Sequence, residues 1–364
     1  MNFRKLLIII LSSVLAVMSF TACGGENNTP SADGEPAVVS NDSSGENSAD
    51  VPEADTPEAE PVSVRIASLK GPTTMGMVKL MDDSDNGLTA AEYDVSIYGT
   101  ADEIVGLLVD GEIDCANVPC NLASVLYKKT EKGIKVLDIN TLGVLYILAA
   151  SDPASALNTE EPFETIADLK GKTIYSTGKG TTPEYVLNYI LTSNGIDPAA
   201  DVNIEYLSEA TEVAAKMAES TDAIAVLPQP YVTVAMNQNE NLRIVFDLTE
   251  EWQKIDGTQL VTGVTVVRSE FLEAHPEAVS QFMSDYAASV EYVNSHNDEA
   301  AALVGKYDIV AEGVAKKALP YCNIVCLTGE DMQASVSAYL SVLFNSDPSS
   351  VGGELPDDSF YFKG

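Results

Sequence analysis

Two short runs bring together residue types able to hold a small polar molecule. The first is SLKGPTTMG, Ser68 to Gly76, between the alternating PVSVRIAS and the apolar MVKLM. The second is STGKGTTPEYV, Ser176 to Val186. Each places Gly, paired Thr and a Lys where a strand gives way to a helix. Glycine lets a backbone approach a ligand closely. A helix start offers unpaired N–H groups and partial positive charge, which suit an anion. Lys70 and Lys179 add cations to a chain whose formal charge is −35. The candidate contacts are Ser68, Gly71, Thr73 and Thr74 in the first run, and Lys179, Gly180, Thr181 and Thr182 in the second. Thr74 and Thr182 each directly precede an apparent helix start and are the expected hydroxyl donors. Either run alone also reads as an ordinary helix cap. Their recurrence at equivalent places in two halves of the chain favours ligand contact.

Two proline-containing loops, NVPCN and LPQPY, add Asn117, Asn121 and Gln229. Amides both donate and accept, which suits a polar ligand, although the same residues serve in turns. Tyr146, Tyr175, Tyr231 and Trp252 are candidates for aromatic walls. No catalytic residue is expected. His275 and His296 lie away from any nucleophile loop, and no H-E-x-x-H or G-x-S-x-G pattern occurs. GKT at Gly171–Thr173 and GKGT at Gly178–Thr181 fail the nucleotide-loop spacing, with Ile166 standing where the first Gly is needed. No cofactor or metal is implied. Beyond Cys23 the chain has Cys115, Cys120, Cys322 and Cys326, none in C-x-x-C spacing. Buried free thiols are favoured over one disulfide or a metal site.

The elements that must position these residues come in two copies. YGTADEIVGLLVDGEIDCANVPCNLASVLY, from Tyr98, parallels YLSEATEVAAKMAESTDAIAVLPQPYVTVAM, from Tyr206. Each reads as a strand end, a helix opened by Glu103 or Glu212, a short apolar strand and a proline loop. Each is preceded by a strand, a Gly/Thr loop and a helix. Alternating strands and helices imply parallel βαβ units, here in two lobes. Ligands of open α/β sheets sit outside the carboxyl ends of the strands, where all these loops fall. The expected fold is α/β, two doubly wound lobes joined by two crossover segments. The expected boundaries are 62–150 for the first lobe, 151–247 for the second, 248–345 for the return crossing and the rest of the first lobe, and 346–364 for a C-terminal tail.

The N-terminus stands apart. MNFRKLLIIILSSVLAVMSFTAC has Arg4 and Lys5, an apolar stretch and small residues before Cys23, the pattern of a secretory signal over 1–22. From Cys23 to Pro61 the chain is Gly, Asn, Ser, Pro, Ala and acids, with no Lys or Arg. Such a segment buries too little to offset its ordering entropy and reads as a tether. The acidity, 55 Asp and Glu against 20 Lys and Arg, excludes a phosphate-binding stripe for nucleic acid.

FTAC, Phe20 to Cys23, resembles the lipobox of bacterial lipoproteins, with Phe20 in place of the usual Leu. DEIVGLLVDGEIDCANVP, DLKGKTIYSTGKGTTPEYVLNYILTSNGID, AIAVLPQPYVT and SEFLEAHPEAVSQFM resemble the substrate-binding lipoproteins of ABC importers. The likeness is to the nitrate, sulfonate and taurine type and to relatives that bind thiamine-pyrimidine precursors. The resemblance implies a type II periplasmic-binding-protein fold and a monomer whose lobes close on a small-molecule solute. It further implies a lipid anchor at Cys23 on the extracytoplasmic face of the membrane, and delivery to ABC permease subunits. The alternative is a bilobal lipoprotein that senses its ligand and acts on a partner without transport. GPTTMG and the Cys of NVPCN match no one subgroup, so the solute stays open.

Overall fold

The computed structural model describes residues 62–150 and 163–364. Cys23, the signal, the tether and the start of the expected second lobe at 151–162 lie outside the described residues.

The first lobe opens with β1 (Ser63–Leu69), α1 (Pro72–Met75), α2 (Val78–Asp85), β2 (Glu92–Tyr98), α3 (Ala101–Asp110), β3 (Cys115–Pro119), α4 (Cys120–Lys129) and β4 (Ile134–Leu142). The second holds β5 (Leu145–Ala150), β6 (Thr173–Ser176), α5 (Thr182–Ser193), β7 (Asn203–Tyr206), α6 (Ala210–Glu219), β8 (Ile224–Pro228), α7 (Tyr231–Gln238), β9 (Leu242–Asp247) and α8 (Leu248–Asp256). The chain then returns through β10 (Val261–Arg268), α9 (Ser269–Ala274), α10 (Pro276–Ser295), α11 (Asn297–Lys306), α12 (Glu312–Ala318), β11 (Ile324–Leu327) and α13 (Gly329–Ser346). One sheet runs β11-β4-β10-β3-β1-β2 and the other β7-β6-β8-β5-β9. This is the two-lobed architecture of type II periplasmic-binding proteins.

The duplicated pattern maps onto β2-α3-β3-α4 and β7-α6-β8-α7. The sheets are nevertheless mixed. β1 pairs in parallel with β2 and β3, and β6 with β7 and β8. The strands that arrive from the other lobe, β5 and β10, enter antiparallel to their neighbours. Neither arrives by a helical crossover from a strand of its own sheet, the connection that makes parallel neighbours, so the direction of arrival sets the direction of pairing.

The crossing comes earlier than the sequence suggests. The expected boundary at 150 falls late: the chain breaks at Gly143, and β5 already belongs to the second sheet. A Cβ at Gly143 would lie 2.1 Å from the Thr249 hydroxyl oxygen, so no side chain fits there while α8 packs against the first crossing. α8 likewise caps the second lobe, stacking Trp252 on Tyr189 at 4.7 Å. The return begins only after Gly257, whose φ of 74° ends that helix.

α13 packs against α4 of the first lobe and α5 of the second. Its Tyr339 meets Trp252 at 5.4 Å, and both are fully buried. The tail is no loose appendage. Phe360 packs on Tyr127 at 4.9 Å, and the Phe362 N–H donates to the Val136 carbonyl (2.9 Å). Among the described residues all four cysteines are free thiols. Cys115, Cys120 and Cys322 are buried, and Cys326 is half-buried.

Candidate functional site

Loops at the carboxyl ends of both sheets enclose a cleft of ≈ 460 Å³. The first lobe supplies Leu69–Thr73 after β1, Gly99–Asp102 after β2 and Pro119 after β3. The second supplies Thr177, Gly178, Lys179 and Thr181–Pro183 after β6, Leu207, Ser208 and Ala210 after β7, and Pro228 and Tyr231 after β8. The crossings form the floor through Thr141, Val144, Leu145 and Thr262. The lobes touch across the mouth. The Tyr231 hydroxyl donates to the Lys70 carbonyl (3.1 Å), and Lys317 Nζ on α12 donates to Asn237 Oδ1 (2.7 Å). Glu209 packs against Gly99, where a Cβ would lie 2.7 Å from its carboxylate oxygen.

Five of the twelve expected contacts line this cleft: Gly71, Thr73, Lys179, Thr181 and Thr182. Lys70, Gly178 and Tyr231 join them. Ser68, Thr74 and Asn117 lie one layer beneath. Thr74 Oγ1 and Ser68 Oγ are 2.7 Å apart, and Asn117 Nδ2 donates to Ser68 Oγ (3.1 Å) and to the Thr73 carbonyl (2.9 Å). Asn121 is a staple between lobes, donating to the Gly180 carbonyl (3.3 Å) and the Ser350 carbonyl of the tail (3.1 Å). Gly180 itself is outside the lining. Tyr146 is buried on β5, and burial pushes its hydroxyl up to about 12. Gln229 serves its own turn, accepting from Thr233 Oγ1 (2.9 Å). Of the other aromatics, Trp252 is core and donates Nε1–H to Thr258 (3.0 Å), while Tyr175 lies 4.3 Å beneath Lys216.

The threonines do not offer the chemistry expected of them. A hydroxyl has one proton to give. Thr73 gives its proton to the Leu69 carbonyl (3.0 Å), Thr74 has the same acceptor within reach, and Thr181 gives its proton to the Gly178 carbonyl (2.7 Å). Toward the cleft Thr73 and Thr181 therefore present lone pairs and methyl groups. Thr182 makes only long contacts, 3.4 Å to Asn121 Oδ1 and 3.4 Å to the Thr262 carbonyl.

The helix starts differ from expectation too. α1 is a single turn of 4 residues and has no developed dipole. α5 has 12 residues, but Glu184 already occupies its start, accepting from the Gly180 N–H (2.5 Å). Glu103 does the same for α3 through Thr100 N (3.1 Å), and Glu212 for α6 through Ser208 N (3.0 Å). Free positive charge at the cleft thus rests with Lys70 and Lys179. Neither forms an ion pair among the described residues. Lys179 extends over the Tyr206 ring at 5.9 Å. Asp102 is the one acid of the lining. Between these charges the walls are Leu, Val, Pro and Tyr.

A model of the NMT1-like family matches residues 80–307. The chain belongs to the NMT1-like family. No curated protein matches it in sequence. Solved structures share the fold of this NMT1-like chain. An ABC transporter protein from Parabacteroides distasonis superposes with a TM-score of 0.67 at 22% identity, over 83% of this chain and 99% of that one. The alkanesulfonate-binding protein of Xanthomonas axonopodis pv. citri, bound to MOPS, gives 0.63 at 16% identity, over 84% and 100%. The periplasmic nitrate-binding protein of Synechocystis PCC 6803 gives 0.55 at 12%, over 70% and 69%.

The loops after β2 and β7 were missed in the sequence, although their signal was present. Tyr98 and Tyr206 both end a strand just before a helix opened by an acid. Thr141 and Thr262 gave no such signal, because they become neighbours only where the two crossings meet.

Proposed function

We propose that this NMT1-like protein captures a small organic anion outside the cytoplasm and delivers it to an ABC permease, without turning it over. One observation carries the reading: the cleft places two cations, Lys70 and Lys179, on opposite lobes, with apolar walls between them. The solute's anionic group meets these ammonium groups and the N–H groups of Gly71, Gly178 and Lys179. Its apolar body lies on Pro72, Pro119, Leu207 and Tyr231. Thr73, Thr181 and Thr182 line the path and act as acceptors. The solved structures titled as sulfonate- and nitrate-binding proteins support a solute of this kind.

Lobe closure is part of the same proposal, with the first lobe at 62–142 and 261–346, the second at 145–256, and the segment 347–364 as a strap on the first. Hinge closure around ligand is a common switching mode. The anchor belongs to it as well: Cys23 takes the lipid and 24–61 tethers the lobes to the membrane. Stable anchoring takes more than one acyl chain.

Gentle purification followed by mass spectrometry should release an organic anion, and Lys70→Met with Lys179→Met should lose it. Retention of that solute by the double variant would overturn the site. A Cys23→Ser protein should leave the detergent phase and lose the mass of the lipid. Equal partitioning of the two proteins would overturn the anchor.

A further inference from the structure

Beneath the cleft loop of the first lobe lies a buried carboxyl. Asp138 on β4 is fully buried. Its Oδ1 lies 3.1 Å from Thr265 Oγ1, and its Oδ2 has no hydrogen-bond partner. Thr265 Oγ1 also lies 2.9 Å from Asn117 Oδ1. The orientation of the Asn117 amide is fixed, because its Nδ2 donates to the Thr73 carbonyl at 2.9 Å and a flip would set two oxygens together. Thr265 therefore faces two acceptor oxygens with a single hydroxyl proton. If Asp138 were ionised, one of the two contacts would be a repulsion between lone pairs. If Asp138 carries a proton, the chain closes: the carboxyl donates to Thr265, Thr265 donates to Asn117, and Asn117 donates to the loop.

We propose that Asp138 is a neutral carboxylic acid serving as a positioning residue: through Thr265 and Asn117 it holds the cleft loop Lys70–Met77, and loss of its proton loosens that loop. The groups facing it cannot supply a counter-charge. They are Thr265 on β10, Cys115 on β3, Cys326 on β11 and Tyr286 on α10. Burial pushes the Cys115 thiol and the Tyr286 hydroxyl well up and the Cys326 thiol up to about 12, so all three stay neutral where Asp138 titrates. Burial likewise raises Asp138 from 3.8 to about 8, against a small opposing effect of Thr265. The other carboxyls with a resolved shift, Asp85, Asp168, Asp201 and Asp357, all move down. A consequence for solute affinity rests on the function proposed above, whereas the proton and the loop can be read without any solute.

Asp138→Asn copies the neutral acid, since its amide can donate to Thr265. A carboxyl that holds its proton in the folded state up to about 8, but only to 3.8 when unfolded, loses stability as pH rises between those values. The ratio of wild-type to Asp138→Asn folding constants should therefore fall about tenfold per pH unit from pH 5 to 7 and level off above 8. Amide exchange in Lys70–Met77 should match in the two proteins at pH 7 and be faster in wild type at pH 9; the loop sequence is common to both, so intrinsic rates cancel. Parallel stability curves would show that Asp138 is ionised when folded and would overturn the proposal. Matching loop exchange at pH 9 would overturn the positioning role. If Asp138→Asn does not fold, difference infrared spectroscopy of the wild type decides the protonation: a protonated carboxyl band at pH 7 that is lost by pH 9 supports it, and absence of the band at pH 7 overturns it.

Discussion

In the first lobe, the chain from Gly71 to Met77 is buried throughout and is held from below by Asn117, Thr265 and Asp138. In the second lobe, Lys179 and Gly180 are exposed, and the loop is tied across the lobes by the long contacts of Asn121 and Thr182. Both loops are written in Gly, Thr and Lys. The difference teaches that similar loop sequences set a buried floor in one lobe and an exposed jaw in the other. What lies beneath a loop decides which it becomes.

Replacing the amide under each loop probes that contrast most strongly. Asn117→Ala leaves the buried Thr73 carbonyl without its donor and removes the short contacts to Ser68 and Thr265, and a buried group left unpaired costs about 1–3 kcal/mol. Denaturant unfolding should show a loss of roughly 2–3 kcal/mol. Asn121→Ala removes contacts of 3.1–3.4 Å and should cost about 1 kcal/mol or less. Equal losses would erase the distinction between floor and jaw.

The two lysines sharpen it through affinity. With the solute recovered from purification, calorimetry should find Lys70→Met about tenfold weaker, since a bond to a charged group contributes roughly 1.5–3 kcal/mol. Lys179 is exposed, so Lys179→Met should cost less, and its effect should fade as salt is raised. A larger and salt-independent loss at Lys179 would reverse the assignment.

Glu184 is the carboxylate that fills the jaw's helix start. Glu184→Gln should lower stability by about 0.3–1 kcal/mol and tighten an anionic solute by a similar amount. Weaker anion binding in this variant would mean that the carboxylate orders the loop rather than competes with the ligand. The smallest effect is expected for Thr181→Val. Its hydroxyl proton is already committed to Gly178, so affinity should stay within about twofold, although the fold loses a bond of about 1 kcal/mol. A tenfold loss would restore Thr181 as a donor to the solute.

The sequence by itself determined the two lobes, the duplicated units, the Gly/Thr loops and the absence of a nucleotide loop. These signals are local: periodicity, caps and turn residues act within a few positions of themselves. Five of the residues it singled out line the cleft, because loops at strand ends converge there in this class of sheet. Tertiary structure decided the rest. Thr265 meets Asn117 across 148 positions, and Asn121 meets Ser350 across 229. A hydroxyl's single proton goes to whichever acceptor the packed chain brings within reach, so the sequence shows that Thr73 and Thr181 have protons to give but not that backbone carbonyls have taken them. The break at Gly143 has the same origin. LYILAA reads as a crossing strand, but the sequence does not show that it already lies in the second sheet, nor that Thr249 of α8 leaves no room for a side chain at Gly143.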